Sequence, residues 1–574
     1  MRIIDLEIYN FRGIKASTIS FPIDSKIICL IGAGDSTKST LLKAVEWLFW
    51  PTWNLSVADA DFYHCDPSNT IIIRGTFTEF SDKLLADDKF GMYLRRPGVE
   101  FKDGVNDEPC DGKPLCLAMQ LTIDSSLEAK WEIVCNREEP RNISHNDRRQ
   151  LYVGTIGNDT AKDLEWGKYS VLQKYADAKG VLHHAYTTVV RNAAKDADLS
   201  ELDNVSETLS NVGKHYGIGF NSKIKNRLLI QGSSFSSTVV LFDGDAPLTQ
   251  FGTGSQRLLS MGLNIDAAPG KALLLVDEVE NGLEPFRLRS LINEFRSDHN
   301  AVGQVIMTTH SPVAVAECTI DEIMVVHSSN GITEALFLKG EDQTINRAFQ
   351  AQIRRLPESF LSKRIIVCEG RTEMGFIRAY DKYLAKTYEY RMAHKGIGMA
   401  DGNGDSIFTT ANIFNNCGYD VCILMDSDKD NKDGTAEKKR QAKSQGIPVF
   451  DWDQPNSIEE QFYQELPLSA IQEAIQIAIS EKGLSTISSA LTCCSVSFTE
   501  TNGRITISML TDEQRKVIGK IAKDNDWYKQ IRPGEQLSDI VFNSLSKLDK
   551  TSIIKNVVNS LTKWVIGNDK ARTR

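Results

Sequence analysis

The sequence predicts an α/β protein of two successive α/β domains, with a mostly helical region completing the second. Three observations carry this. Short, continuous apolar runs at Lys26–Ile31, Leu273–Val276, Ile365–Cys368 and Val421–Met425 have the character of strands covered on both faces, as in a parallel sheet. Each run ends in a glycine or carboxylate turn, where open α/β sheets place their ligands. Apolar–polar alternation, the mark of antiparallel strands, is found in residues 1–21 and in Leu115–Ile123 and Glu128–Cys135. The expected domains are residues 1–355, with an inserted, partly helical segment at about 170–230, then 360–465, then 466–574.

A chain of 574 residues has room for two to four domains, and its 41% hydrophobic and 25% charged content is ordinary for a globular protein. Asp5, Glu7 and Arg12 interrupt the N-terminus, so it lacks a signal-peptide core. No apolar run approaches a membrane span, and a cytoplasmic protein without a membrane partner is expected. The 11 cysteines form no C-x-x-C pair, which speaks against structural zinc and disulfides. A net charge of -10 provides no global attraction to DNA, so nucleic-acid binding needs a local basic patch.

Gly32, Ala33, Gly34, Asp35, Ser36, Thr37, Lys38, Ser39 and Thr40 stand between a strand and a helical pattern (Leu41, Leu42, Val45, Leu48), the setting a P-loop requires. Backbone N–H groups would cradle phosphates, Lys38 would reach the outer ones and Ser39 would ligate magnesium. Thr37 replaces the usual glycine before the lysine. A β-branched residue is costly at positive φ, which favours nucleotide binding over fast hydrolysis.

KALLLVDE, Lys271 to Glu278, reads as a Walker B strand, with Asp277 holding magnesium and Glu278 placed to polarise water. Upstream, GTGSQR resembles the ABC signature, in which Gly254, Ser255 and Gln256 offer donors to a γ-phosphate held by a second subunit. His310 follows a strand, like the switch histidine of that class. Alone each motif is weak, but their order is that of an ABC-type ATPase head, and NFRGI (Asn10 to Ile14) resembles the opening of its SMC and RecF branch. No sustained heptads interrupt the head. The stripe Leu199, Leu202, Val205, Leu209 and Val212 has helical spacing, suited to core packing or to a partner helix at a dimer interface.

In the second half, Glu369 ends one apolar run and Gly370 allows a sharp exit. Thr372 is a candidate cap for a helix carrying Glu373. Asp426 and Asp428 project from the end of the second run, on one side of the chain. Such carboxylates repel one another unless a hard divalent cation gathers them. This pattern resembles the Toprim domain of topoisomerases, primases and certain nucleases. Ser457 and Glu459 share one side if extended and would complete a second cation site; a helix N-cap by Ser457 is the competing reading. Lys429, Lys432, Lys438, Lys439, Arg440 and Lys443 concentrate charge beside the site, as a DNA-backbone contact or a solvated face. The glycine stretch Gly396–Ser406 reads as a plain turn. A lysine of the C-terminal region, Lys547 or Lys550, is a candidate to reach the site, and the tail ends in Lys570, Arg572 and Arg574.

An ABC-type head followed by a Toprim unit resembles the OLD (overcoming lysogenisation defect) family of nucleases over nearly the whole chain. The resemblance implies a DNA endonuclease using Mg2+ or Mn2+ at Glu369, Glu373, Asp426, Asp428, Ser457 and Glu459. It also implies an ATP-binding head that dimerises and regulates, and a role in bacterial anti-phage defence. Some members act with a helicase or a reverse-transcriptase partner. The rival is a DNA-binding repair-type ATPase in which the Toprim unit is only structural. A primase is disfavoured by the missing cysteine pairs, and no domain suggests a topoisomerase's tyrosine nucleophile.

Overall fold

In the computed structural model the apolar runs become strands of two separate sheets, one in each of two compact units, Met1–Gly340 and Glu341–Arg574. The structure describes all residues except 87–88, 103, 152, 158–159, 167–169, 173–174, 176–198, 232–235, 268–270, 298–301, 339–341, 429–433, 454 and 568–574. Lys429, Lys432, Lys570, Arg572, Arg574 and much of the expected insertion at 170–230 therefore lie outside the described residues. No described helix is long and apolar enough to cross a membrane.

The first unit is organised around a mixed sheet of twelve described strands. The P-loop strand Ile27–Ile31 lies between Val302–Thr308 and Ile323–Ser329, parallel to both. Ala272–Val276 pairs in parallel with the far side of Val302–Thr308. These strands have no polar face because neighbours cover both sides: Ile27–Ile31, Ala272–Val276 and Val302–Thr308 are buried throughout. The alternating segments form the antiparallel wing, in the order Ala129–Val134, Leu117–Ile123, Ile71–Thr78, Arg2–Phe11, Ile14–Ser20.

Helix Asp203–His215 packs along helix Thr253–Ala267. A Cβ on Gly262 would fall 2.1 Å from Val212 Cγ1, and one on Gly213 would meet the Phe220 ring. Val205 and Leu209 are buried. The apolar stripe thus packs inside its own unit over residues 203–215, and is not held out for a partner helix.

The second unit is a four-stranded parallel sheet in the order Ile397–Asp401, Arg364–Cys368, Asp420–Met425, Val449–Asp451. Helix Gln343–Arg355, which the sequence reading gave to the first domain, belongs here: Phe349 packs on Phe360 and Phe414 at 5.3 and 5.2 Å. The described part of the C-terminal region, residues 466–567, shares one continuous core with the sheet, running from Ile366 and Cys368 through Phe376, Phe462 and Trp527 to Val565.

Helix Arg371–Tyr388 and helix Ile531–Ser544 meet at two glycines. A Cβ on Gly375 would stand 2.5 Å from Glu535 N and 2.6 Å from Ile531 O, and one on Gly534 would stand 3.0 Å from Thr372 O. Backbone cannot retreat as a flexible side chain can. Gly375→Ala is therefore expected to cost about 1–3 kcal/mol or more, by overpacking, in a denaturant melt; a change within a few tenths would show that the crossing tolerates a methyl group.

Candidate metal centre and nucleotide site

In the first unit, helix Lys38–Leu48 starts where Thr37 adopts φ 65° and ψ 13°. Thr37 thus holds the left-handed conformation that glycine would adopt without strain. Its hydroxyl compensates by donating to Ser36 O at 2.6 Å and sharing a 2.9 Å hydrogen bond with Thr333 Oγ1. Gly32 is required for a different reason: a Cβ there would lie 2.4 Å from Val326 O. Lys38 is buried and donates to Gly32 O, Ala33 O and Ser36 Oγ at 3.1, 2.8 and 3.0 Å. Burial pulls its pKa down to about 8, against the opposing charges of Asp277, Asp35, Glu278 and Glu280.

Asp277 Oδ1 accepts from Ser39 Oγ at 2.9 Å and from Thr308 Oγ1 at 2.6 Å, so P-loop and Walker B strand converge on one carboxylate. Thr308 Oγ1 also accepts from Glu278 N at 2.8 Å. Three residues missed in the sequence build the frame. Arg257 donates to Gly157 O, Asp277 O and Glu278 O. Thr308 bridges two strands, and Glu280 accepts from Thr309 Oγ1 and His310 N at 2.6 and 2.7 Å. His310 itself is exposed.

The signature residues open helix Thr253–Ala267. Gly254 is pressed against the loop after Walker B, where a Cβ would lie 2.1 Å from Gly282 O. Ser255 Oγ accepts from Arg287 at 3.3 Å. Gln256 departs from its expected role as an outward donor. It is buried, and its amide donates inward to Thr249 O and Phe251 O at 2.7 and 3.0 Å.

In the second unit all four parallel strands end on a carboxylate, in spatial order Asp401, Glu369, Asp426, Asp451. The outer two are paired with cations: Asp401 with Arg355 at 3.7 Å, and Asp451 with buried Lys439 at 2.8 Å. The inner two instead face further carboxylates. Asp426 N donates to Glu369 Oε2 at 2.9 Å, and Asp426 Oδ1 accepts from Ile458 N at 2.9 Å. Glu373 Oε2 accepts from Gly370 N at 2.9 Å, so Gly370, and not Thr372, is the helix N-cap; Thr372 is turned toward Tyr528 O.

Ser457 is likewise an N-cap, of helix Ile458–Glu465, in a reciprocal capping box with Glu460. The segment is helical and not extended, yet Ser457 Oγ also donates to Glu459 Oε2 at 3.1 Å. The N-cap reading of Ser457 holds, and the capping hydroxyl also contacts Glu459. The C-terminal lysine that reaches the site is Lys523, which binds Asp428 Oδ2 at 2.6 Å and lies 3.7 Å from Glu460; Lys547 and Lys550 are exposed. The glycine stretch is more than a plain turn, since Gly404 and Asp405 line the same cleft as Glu369, Asp426 and Asp428.

Electrostatically, the inner cluster is strained. Burial pushes Glu373 up to about 8, with Glu459 and Glu369 adding repulsion. Asp426 keeps partial contact with the cleft, yet burial, then Glu373, Glu459, Glu369 and Asp428, raise its pKa well above the carboxylate range. Burial also raises Glu459. Lys523 loses to desolvation but gains more from Asp428 and Glu460, and its pKa rises.

Among the described residues no three His, Cys, Asp or Glu side chains already converge as ligands. In charge and chemistry the set nonetheless fits a hard divalent cation: all-oxygen donors, like-charged and repelling in a half-dry cleft. A carboxyl whose folded pKa exceeds its unfolded value binds more protons when folded, so stability falls as pH rises between the two values. Metal-free protein is therefore expected to lose thermal stability from about pH 5 to 8, by at most about 1.4 kcal/mol per pH unit for each group. Mg2+ or Mn2+ should raise the melting temperature most at the upper end. A flat profile in EDTA would contradict the cluster's repulsion.

The fold and site together define a P-loop ATPase followed by a Toprim domain. Family models agree in content and order. Residues 1–151 match an AAA ATPase domain, residues 170–316 an AAA domain family described by reference to AbiEii toxin and the type IV TA system, and residues 360–428 the Overcoming lysogenization defect protein-like TOPRIM domain. The succession matches an OLD-family ATPase–Toprim fusion and supports an ATPase–nuclease of the OLD type.

No curated protein matches the chain. Similar solved structures include an Smc head bound to the C-winged helix domain of ScpA, at 14% identity and TM-score 0.37, over 58% of this chain and 97% of that one. The Smc head from Pyrococcus furiosus with an extended coiled coil, bound to the C-terminal domain of ScpA, is 13% identical with TM-score 0.35, covering 58% and 95%. The SMC head domain of Thermotoga maritima is 15% identical with TM-score 0.30, covering 59% and 100%.

Proposed function

We propose that the chain is an ATP-regulated, divalent-metal-dependent DNA endonuclease acting in bacterial anti-phage defence. The observation that supports this most is the mutually repelling set formed by buried Glu373 and Glu459 with half-buried Glu369 and Asp426 at the carboxyl end of a parallel sheet, with Lys523 anchored on Asp428. A site kept only for its shape gains nothing from burying repelling carboxylates. Here function and stability conflict, as they do at active sites.

Bound Mg2+ or Mn2+ would supply a metal-activated water and charge stabilisation of the leaving 3'-oxygen. The chain's own residues do the rest. Glu369, Glu373, Asp426, Asp428, Ser457 and Glu459 are the residues that would hold the ions. Backbone donors at Gly370 and Ile458 orient the carboxylates. Lys523 sets Asp428 and adds positive charge near the scissile phosphate. Lys438 and Arg440 on helix Thr435–Ser444 are candidates to steady the DNA backbone.

In the first unit Gly32, Gly34, Asp35, Ser36, Thr37, Lys38, Ser39 and Thr40 bind ATP with Asp277. Ser255, Gly254 and His310 serve a head dimer in which ATP acts as a switch, and Glu278 serves slow hydrolysis. Phosphate would return to Lys38 the charge that burial disfavours.

The chemistry leaves a diagnostic product. Nicks carrying 3'-hydroxyl and 5'-phosphate ends, which DNA ligase reseals, are expected, and Lys38→Ala should remove any response of the rate to ATP. Protein covalently attached to a DNA end would overturn direct hydrolysis in favour of a tyrosine nucleophile.

A further inference from the structure

Ser427 lies between Asp426 and Asp428, and its side chain is held by a lysine other than Lys523. Lys439, on helix Thr435–Ser444, donates from Nζ to Ser427 Oγ at 3.1 Å and to Asp451 Oδ2 at 2.8 Å. Both ends of the first contact are shut off from water, with Ser427 1% and Lys439 5% exposed. The backbone of the same turn is fixed as well: Asp426 N donates to Glu369 Oε2 at 2.9 Å, and Ser427 N to Asn456 O at 3.1 Å. Asn456 immediately precedes Ser457, so Ser427 ties together the two chain segments that carry Asp426, Asp428, Ser457 and Glu459.

Burying an ammonium group costs stability unless an opposite charge and further hydrogen bonds compensate it. Asp451 supplies the charge, but it is only half-buried at the end of its strand, where a surface lysine would pair with it equally well. What burial adds is the reach to Ser427. The two lysines thus differ in kind. The Lys523 side chain is 31% exposed and binds a carboxylate of the cluster, whereas the Lys439 side chain is 6% exposed and binds the hydroxyl between two such carboxylates.

We infer that Lys439 is a positioning residue: through Ser427 it fixes the spacing of Asp426 and Asp428, and so sets which divalent ion the cluster prefers. The inference rests on the metal-dependent reading above and adds ion selectivity to it. Mg2+ is small, demands near-octahedral oxygen geometry and tolerates little displacement of its ligands, whereas Ca2+ accepts about six to eight oxygens in a flexible arrangement. Two aspartates on a rigid turn favour Mg2+. The same pair on a loosened turn still suits Ca2+ and loses that preference.

The test is calorimetric titration of Mg2+ and of Ca2+ into the metal-free full chain, without DNA or nucleotide, for wild type, Ser427→Ala, Lys439→Met and the double variant. Asp426→Asn serves as the blank for ions bound elsewhere. Mg2+ affinity should fall roughly tenfold in each single variant, the scale on which groups supporting a metal ligand act, with Ca2+ affinity nearly unchanged. The double variant should bind Mg2+ no more weakly than the weaker single one, because both substitutions cut the same contact. Ser427→Ala leaves the Lys439–Asp451 pair in place, and so keeps the test decisive if Lys439→Met unfolds.

Equal losses for the two ions would overturn the inference, as would unchanged Mg2+ affinity in the single variants or effects that add in the double one. Wild type indistinguishable from Asp426→Asn would remove the metal centre and the inference with it. Plasmid cleavage in Mg2+ separates the two readings. A selectivity shift without any cleavage by wild type removes the nuclease and keeps the positioning role, whereas cleavage by wild type with unshifted selectivity in the variants removes the positioning role and keeps the nuclease.

Discussion

Asp426→Asn is expected to stop DNA cleavage and, in the absence of metal, to make the protein more stable. Asparagine keeps the acceptor for Ile458 N while removing the charge that Glu373, Glu459, Glu369 and Asp428 oppose. Losing a group that acts on transition-state charge should lower the rate by at least about 10²–10³-fold. Relief of buried repulsion should add on the order of 1–3 kcal/mol in EDTA, a rise of a few degrees in melting temperature. Opposite signs for activity and stability distinguish a metal-binding cluster from a structural one. A variant both inactive and less stable would mean that Asp426 holds the fold together, and the structural-Toprim rival would gain.

The second large effect is expected at Lys523. Its ammonium sits 2.6 Å from Asp428 and 3.7 Å from Glu460, carried by helix Asp512–Asp524. That helix approaches helix Ile458–Glu465 closely because residue 519 is glycine; a Cβ there would lie 2.8 Å from Glu460 Cα. Lys523→Met should reduce cleavage roughly 10²-fold by removing positive charge from the reacting phosphate's surroundings. Mn2+ affinity should stay level or tighten, because a competing cation has left Asp428. Lys523→Arg should recover part of the rate. If metal affinity collapsed along with the rate, Lys523 would be holding the ligands in place and not acting on the reaction.

Much of this was legible in the sequence because the informative features are local. Apolar runs ending in Gly32, Asp277, Glu369 and Asp426 mark the carboxyl ends of parallel strands, and the structure places all four there. The same signal was present and unread at Asp401 and Asp451, which close the row of strand-end carboxylates. Lys523 could not be found this way. Helix Asp512–Asp524 carries three lysines, and which of them reaches Asp428 is decided by packing across Gly519, a contact between distant stretches of chain.

Ser457 shows the opposite limit. Its hydroxyl caps Glu460 N three residues on and donates to Glu459 two residues on, so the sequence, which offered a cap or an extended pair, could not show that one atom makes both contacts within a helical turn. Gln256 failed for a plainer reason. A motif gives the order of residues, whereas the direction of a side chain depends on neighbours such as the Thr249 and Phe251 carbonyls. Helix Gln343–Arg355 lies beside the domain boundary, where chain continuity gives no information and the aromatic contacts of Phe349 decide.

The most direct measurement is conversion of supercoiled plasmid by the purified chain in Mn2+, run beside EDTA and beside Asp426→Asn. The account predicts nicked or linear DNA with wild type and Mn2+ alone, and intact supercoils in the other two lanes. Cleavage by Asp426→Asn at the wild-type rate would contradict it, because the acting residues would then lie outside the carboxylate cluster.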